Sequence, residues 1–406
     1  MDGEAYERKG RPEAMKAFDE AFIRAFGPAE RDSSSDLSAA SGEALVKEQG
    51  RNGRGLIAVC CAIVPPEVIH AAGFDQIRLC GYHCAAGQYD GNNDAWTGPE
   101  CAIIAGLRKF LQDGRVADGR RIELFVVTST CERMARLSAQ EAPSGGFHVL
   151  EVPRERGPEH IRTFWRSQIE SLFNRLEELR GAAIGRARLA ESVELHMACI
   201  EAGRLLLALG PKRCGLAGSD RMQALGAFAF MPPQSWLESA RKLLEEAGEG
   251  GSDCGGPRLV LIGEPVFHLA RDAARMIEDA GGVLVGDMLC CGSGALPDPA
   301  VADEPSVEAI LDALAERSLM TSPCPRLGPG SGRLARLRRI IGENQAAGVI
   351  YFAPSVCPAH RMEAVAIQRL LSSMKTPILT LDCAGSAART KIRAFIRMLK
   401  VTGRGT

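Results

Sequence analysis

Short apolar runs rich in β-branched residues alternate along most of this chain with stretches whose apolar residues recur every three or four positions. Residues 1 to about 54 carry a helical pattern over Ala14–Phe26, then a polar run, Arg31–Asp36, that reads as a loop. From Gly55 the pattern changes. Leu56–Val59 predicts a strand, Pro65 and Pro66 open a helix over Val68–Ala72, and Gly73 closes it. A second apolar run at Ile77–Leu79, a helix over Ala102–Leu111, a strand over Ile122–Val127, a helix over Arg133–Leu137 and a strand over Val149–Val152 follow. Between His160 and Ala247 the reading is helix after helix, with Ile161–Arg180, Ala187–Leu209 and Trp236–Ala247 the clearest. The glycine-rich stretch Gly248–Pro257 reads as a linker. Alternation then returns, with strands at Leu259–Ile262, Val283–Val285, Val349–Phe352 and Ile378–Leu381. Helices are expected at Ala270–Ala280, Val307–Glu316, Leu334–Asn344, Arg361–Ser373 and Ala387–Leu399.

Strand–helix alternation marks a parallel α/β sheet. The expectation is therefore an α/β protein with two Rossmann-like parallel-sheet domains, at 55–157 and 251–406. An N-terminal helical segment (1–54) and an inter-domain helical segment (158–250) complete it. The order of the strands cannot be read from this pattern.

Composition narrows the function. The chain has 406 residues, enough to bury a large core, and a formal net charge of −1, which argues against a dedicated nucleic-acid or anionic-membrane binder. Aromatic residues are only 5%, which argues against an all-β fold. No apolar window approaches the length of a membrane span, and the charged N-terminus lacks the apolar core of a signal peptide, so a cytoplasmic protein is expected. Cysteine is the anomaly: there are 14, many for a cytosolic chain with no special use for sulfur.

No two cysteines are three apart, which removes zinc ribbons, thioredoxin-like sites and ferredoxin runs. Their placement says more. Cys61 follows the first strand, Cys131 follows Ile122–Val127, Cys290 follows Val283–Val285, and Cys357 follows Val349–Phe352; Cys101 opens a helix. In an open parallel sheet the strand C-termini face one crevice, and a helix N-terminus favours the thiolate. Thiolates from both α/β units could meet across one cleft, as a metal or cluster held between domains requires. Cys199 sits on an apolar helical stretch and reads as a buried structural thiol, and Cys214, Cys254 and Cys383 show no role. No P-loop is present, so any ATP hydrolysis falls to a partner. Glu132, beside Cys131, and His360, three residues past Cys357, are candidate proton donors.

The segment Cys61-Ala-Ile-Val-Pro-Pro-Glu-Val-Ile-His-Ala-Ala-Gly73, followed by Ile77-Arg78-Leu79, resembles the opening of the 2-hydroxyacyl-CoA dehydratase family. Further segments resemble that family in order: Gly98-Pro-Glu-Cys101, Thr128-Ser-Thr-Cys131-Glu132, Leu259–Pro265, Gly286-Asp287-Met-Leu-Cys290, Gly348–Phe352 with Cys357, and Arg389–Phe395. The resemblance spans about residues 50–400. It implies a [4Fe–4S] cluster held by three cysteines, at positions matching Cys101, Cys131 and Cys357, with one iron open. It also implies a separate ATP-hydrolysing activator as electron donor. In the dehydratases that electron reduces a 2-hydroxyacyl-CoA, which then loses water.

A second branch of the same family holds a double-cubane [8Fe–9S] cluster and reduces small molecules with ATP-dependent electrons. Its extra cysteines match Cys61, Cys80, Cys290 and Cys324, so this branch resembles the chain more closely. Cys60, Cys84 and Cys291 stay open between ligand and neighbour. The implied function is an iron–sulfur reductase acting on a small or acyl-CoA substrate, working as a homo- or heterodimer with a same-fold subunit. The alternatives are one subunit of a heterodimeric dehydratase or acyl-CoA reductase with a single cubane, and a non-enzymatic zinc- or cluster-binding relative.

Overall fold

The computed structural model describes residues 11–26, 54–79, 101, 104, 107–108, 111, 116, 118–140, 146–209, 216–247, 255–263, 267–304, 306–321, 324–327, 331–354, 356–382 and 386–403. Two four-stranded sheets organise them, and every strand pair is parallel. The first sheet contains β1 (Leu56–Val59), β2 (Asp75–Arg78), β3 (Ile122–Thr128) and β4 (Phe147–Leu150), in the order β2-β1-β3-β4. The second contains β5 (Arg258–Gly263), β6 (Val283–Met288), β7 (Gly348–Phe352) and β8 (Ile378–Leu381), in the order β6-β5-β7-β8. The two orders are the same. In each, the chain leaves the first strand for one side and then crosses to the other, so the switch point lies between β1 and β3 and between β5 and β7. The expected α/β fold of two Rossmann-like parallel sheets is what the chain adopts.

Central strands buried on both faces need continuous apolar runs, and β1 and β7 are buried along their whole length. Helices cover the sheets. In the first unit these are α1 (Met15–Phe26), α2 (Pro66–Ala71) and α3 (Glu132–Gln140). The central helices are α4 (Glu159–Arg180), α5 (Arg186–Ala208), α6 (Gly218–Ala227) and α7 (Pro233–Glu246). The second unit adds α8 (Phe267–Asp279), α9 (Val307–Thr321), α10 (Ser331–Glu343), α11 (Pro358–Ser373) and α12 (Ser386–Val401). One core contains Phe18, Phe125, Trp236, Leu261 and Ile350, and so runs from the first sheet through the central helices to the second. The two sheets share this core, and each has a further core of its own.

Helix α6 is absent from the sequence pattern, for a physical reason. All residues from Ser219 to Ala227 are buried, so no polar face alternates with an apolar one. Its charged residues are satisfied by docking. Arg11 donates to Asp220 at 2.9 Å and to Asp19, Gln223 donates to Asp19, and Arg221 donates to the Leu284 carbonyl at 2.8 Å. These bonds pin α1 to α6, and α6 to β6.

Candidate functional site

The strand ends deliver sulfur to both switch points. After β1, successive side chains turn to opposite sides. Cys60 enters the core, and burial pushes its thiol up to about 12. Cys61 packs against the other core, as does Cys324, whose thiol acts on it. Burial, and then the Cys324 thiol, push Cys61 up to about 11; Thr128 and Arg78 pull it the other way. After β3, Cys131 immediately precedes α3, and its sulfur accepts the Met134 N–H at 3.4 Å. It thereby takes the place of a capping side chain at a helix N-terminus.

The second sheet repeats the arrangement. Near the end of β6, the buried Asp287 carboxylate accepts the N–H groups of Leu289 at 3.0 Å and Ser293 at 2.9 Å, while the Ser293 hydroxyl donates to the Asp287 carbonyl at 2.8 Å. This closed loop presents Cys290 and Cys291. A Cβ on Gly292 would lie 2.4 Å from Asp287 Oδ1, so the loop leaves no room for a side chain there. Burial, then Cys290, push the Cys291 thiol upward, against the pull of Arg78. After β7, Cys357 caps α11, and Arg326 Nη2 donates to its sulfur at 3.2 Å. Behind it the buried Tyr351 hydroxyl stands 3.1 Å from His360 Nδ1 and 3.0 Å from Glu363, which pairs with Arg333.

Arginines tie these loops together. Arg154 Nη1 donates at 3.0 Å to both the Thr130 and Arg326 carbonyls, joining the end of β3 to the Cys324 loop. Arg156 donates to the Met320 carbonyl at 3.3 Å and lies within electrostatic reach of Cys324. Arg78 acts on Cys61 from the first sheet and on Cys291 from the second. Cys101 packs against the same core as Cys131. Among the described residues, no three His, Cys, Asp or Glu side chains stand together at metal-binding distance; the thiols that act on each other do so in pairs, Cys61 with Cys324 and Cys290 with Cys291. The donor chemistry suits soft iron. Cys324 raises the pKa of Cys61 and Cys290 that of Cys291, a penalty that a thiophilic cation would reverse.

The remaining predicted residues fall elsewhere. Cys80, Cys84, Cys214, Cys254 and Cys383 lie outside the described residues. Cys199 is buried on α5, where its thiol donates to the Pro233 carbonyl at 3.3 Å. The Glu132 side chain is 76% exposed and pairs with Arg136 at 2.6 Å. His360 is wholly buried.

Beside Cys61 opens a small cleft whose lining includes Glu67, Gln76, Arg78, His196 and Arg317. Arg317 donates to both Glu67 oxygens, at 2.7 and 2.9 Å. Burial alone would raise the Glu67 pKa; Arg317 reverses this and holds the carboxylate below its usual range. Burial lowers the His196 pKa, so its ring is neutral near pH 7. Sequence reasoning missed Gln76, Arg154, Arg156, Arg317 and Arg326, and met Arg78 only as part of a matching run. The usable signal for Arg78 was a cation set between the apolar Ile77 and Leu79.

A family profile described as 2-hydroxyglutaryl-CoA dehydratase, D-component, matches residues 61–399. A candidate dehydratase subunit of Escherichia coli strain K12, YjiM, is 24% identical over 373 residues, covering 88% of this chain and 95% of the relative. A solved structure described as that of ZnuA covers 87% of this chain and 100% of its own at 12% identity. Its TM-score of 0.21 carries no structural argument.

Proposed function

The chain belongs to the 2-hydroxyglutaryl-CoA dehydratase D-component family, and from that premise we propose that it is an iron–sulfur reductase fed with electrons by a separate ATP-hydrolysing activator. The reading is supported by Cys61 and Cys131 following strands of the first sheet and Cys290 and Cys357 strands of the second, at the strand ends where parallel-sheet proteins bind ligands, and by Arg78 acting on thiols from both sheets. In this reading Cys101, Cys131 and Cys357 hold a [4Fe–4S] cluster, and Cys61, Cys80, Cys290 and Cys324 extend it to a double cubane. Bound there, the cluster supplies single electrons at low potential.

The chain's own residues do the rest. The α3 N–H at Met134 donates to the Cys131 sulfur and the Arg326 guanidinium to the Cys357 sulfur, which orients both side chains. Arg154 fixes the Cys324 loop against β3, and the Asp287–Ser293 loop fixes Cys290 and Cys291. His360, inside the core, supports the start of α11 through Tyr351. The cleft beside Cys61 offers a small substrate a place next to the sulfur. The reading includes a cytoplasmic location and pairing with a same-fold subunit.

Cys131→Ala and Cys357→Ala, made and purified anaerobically, are expected to lose most bound iron while keeping the wild-type circular dichroism. Full iron retention in both variants would refute the assignment. A second reading, one subunit of a heterodimeric dehydratase with a single cubane, is favoured by the relative described as a dehydratase subunit. About four irons per chain would select it, against about eight for the double cubane.

A further inference from the structure

The formal net charge of −1 is an average over oppositely charged parts of the chain. Residues 276–316 hold nine Asp and Glu and no Lys or Arg, whereas residues 331–406 hold 13 Lys and Arg and three Asp and Glu. Charge segregated this far along one chain points to a partner surface for each part. The structure puts both on the outside. Helix α9 turns Ile310, Leu311 and Leu314 into the core and leaves Glu308, Asp312 and Glu316 exposed, at the spacing of four that lines one helix face. Arg166 and Arg162 on α4 meet Asp312 and Glu316. Asp303, Glu304 and Glu308, all exposed around the start of α9, carry the negative charge beyond those pairs. Helix α12 contains no Asp or Glu. It turns Ile392, Phe395, Ile396 and Leu399 inward and exposes Arg393, Arg397 and Lys400 along one side.

Each charged strip ends in apolar surface. Among the described residues the two most exposed large apolar side chains are Val401, 82% exposed at the end of α12, and Val301, 77% exposed just before α9. Met398, beside Arg397, adds to the first. An apolar contact flanked by complementary charge is how protein interfaces are built. Other occupants fit α12 less well. Its continuous apolar face is turned into the core and is not free to enter a bilayer, and a phosphate backbone offers Val401 and Met398 no apolar partner. Two α12 helices set face to face would oppose like charges. The complement of α12 on this molecule is the acidic strip at α9.

We propose that the basic face of α12 in one copy of this chain docks on the acidic strip at α9 of a second copy, with Val401 against Val301. Matching the two valines runs the helices antiparallel and sets Arg397 and Arg393 toward Glu304 and Glu308. The contact joins two different surfaces, so it either occurs twice about a two-fold axis or repeats head to tail. The inference rests on the proposed function only for the expectation that a same-fold subunit pairs with this chain; the association itself needs no iron.

The test is analytical ultracentrifugation of the full-length, anaerobically purified protein, with iron counted in every sample. Wild type is expected to self-associate in about 0.05 M salt and to do so about tenfold more weakly in about 0.5 M salt, where exposed charges are screened. Arg393→Glu/Arg397→Glu should stay monomeric in low salt, and so should Glu304→Lys/Glu308→Lys. All four positions are exposed, so both variants should keep the wild-type circular dichroism. An equimolar mixture of the two variants should associate again, because the reversed α12 of one meets α9 of its own kind of complement on the other. A wild type that stays monomeric would overturn the proposal, and binding of duplex DNA or phosphatidylserine vesicles by that monomer would show what α12 holds instead. Self-association that neither variant weakens, or a mixture that stays monomeric, would also overturn it. Full iron in a monomeric wild type would leave the cluster reading standing; salt-sensitive assembly of iron-free protein would refute the cluster reading and leave the interface.

Discussion

Glu67 is 1% exposed and still carries its charge, because Arg317 meets both of its oxygens. The pair joins α2 to α9, 250 positions apart in sequence. Removing one partner leaves a buried charge uncompensated, so Arg317→Met is expected to cost about 3–5 kcal/mol in urea unfolding. The double variant Glu67→Leu/Arg317→Met should recover most of that loss; an additive loss would contradict the account. His70 makes a pH prediction. Gln234 faces its Nε2 at 3.1 Å and Ser192 its Nδ1 at 2.9 Å, an arrangement that fits the neutral ring. Burial first, then His196, Arg54 and Arg188, push its pKa down from 6.5 to about 4. Below pH 6.5 the unfolded chain takes up a proton that the folded chain refuses, so this stability is full above 6.5 and lost as pH falls toward 4. The urea midpoint should fall across that window less steeply in His70→Gln than in wild type; parallel curves would contradict it. Neither Glu67 nor His70 could be singled out from sequence, since each owes its state to a partner more than a hundred positions away.

At the scale of elements, strands with unbroken apolar runs were legible. Leu56–Val59 and Ile378–Leu381 match their expected bounds, and the longer helices differ by a few terminal residues. Strand β6 runs past the expected Val285 to Met288, through Gly286 and Asp287. A carboxylate looks like a strand breaker until the backbone N–H groups that receive it are known. Helix α6 was illegible because it has no exposed face. Gly263, at the end of β5, is held at φ +131°, and a Cβ there would lie 2.0 Å from the Phe352 carbonyl oxygen on β7. Gly263→Ala combines backbone strain with a clash in the ladder, so it should destabilise by about 3 kcal/mol or more. Thermal unfolding checks this, and a change within about 0.5 kcal/mol, the range of an innocuous surface substitution, would contradict it.

At the scale of the whole molecule, the same strand order occurs twice, and each copy places thiols at its switch point. Sulfur at the strand ends was legible because strands are local and cysteines are countable. The strand order was not, since many crossovers share one alternating pattern. The arginines that tie the loops were not legible either, because 49 basic residues offer no local mark of which ones turn inward. The central claim is that these strand-end thiols hold iron and sulfide. It is tested most directly by counting iron and acid-labile sulfide per chain in anaerobically purified protein. About four or about eight irons, with sulfide in near-equal amount, is the predicted result; protein free of iron, or carrying zinc in its place, would contradict it.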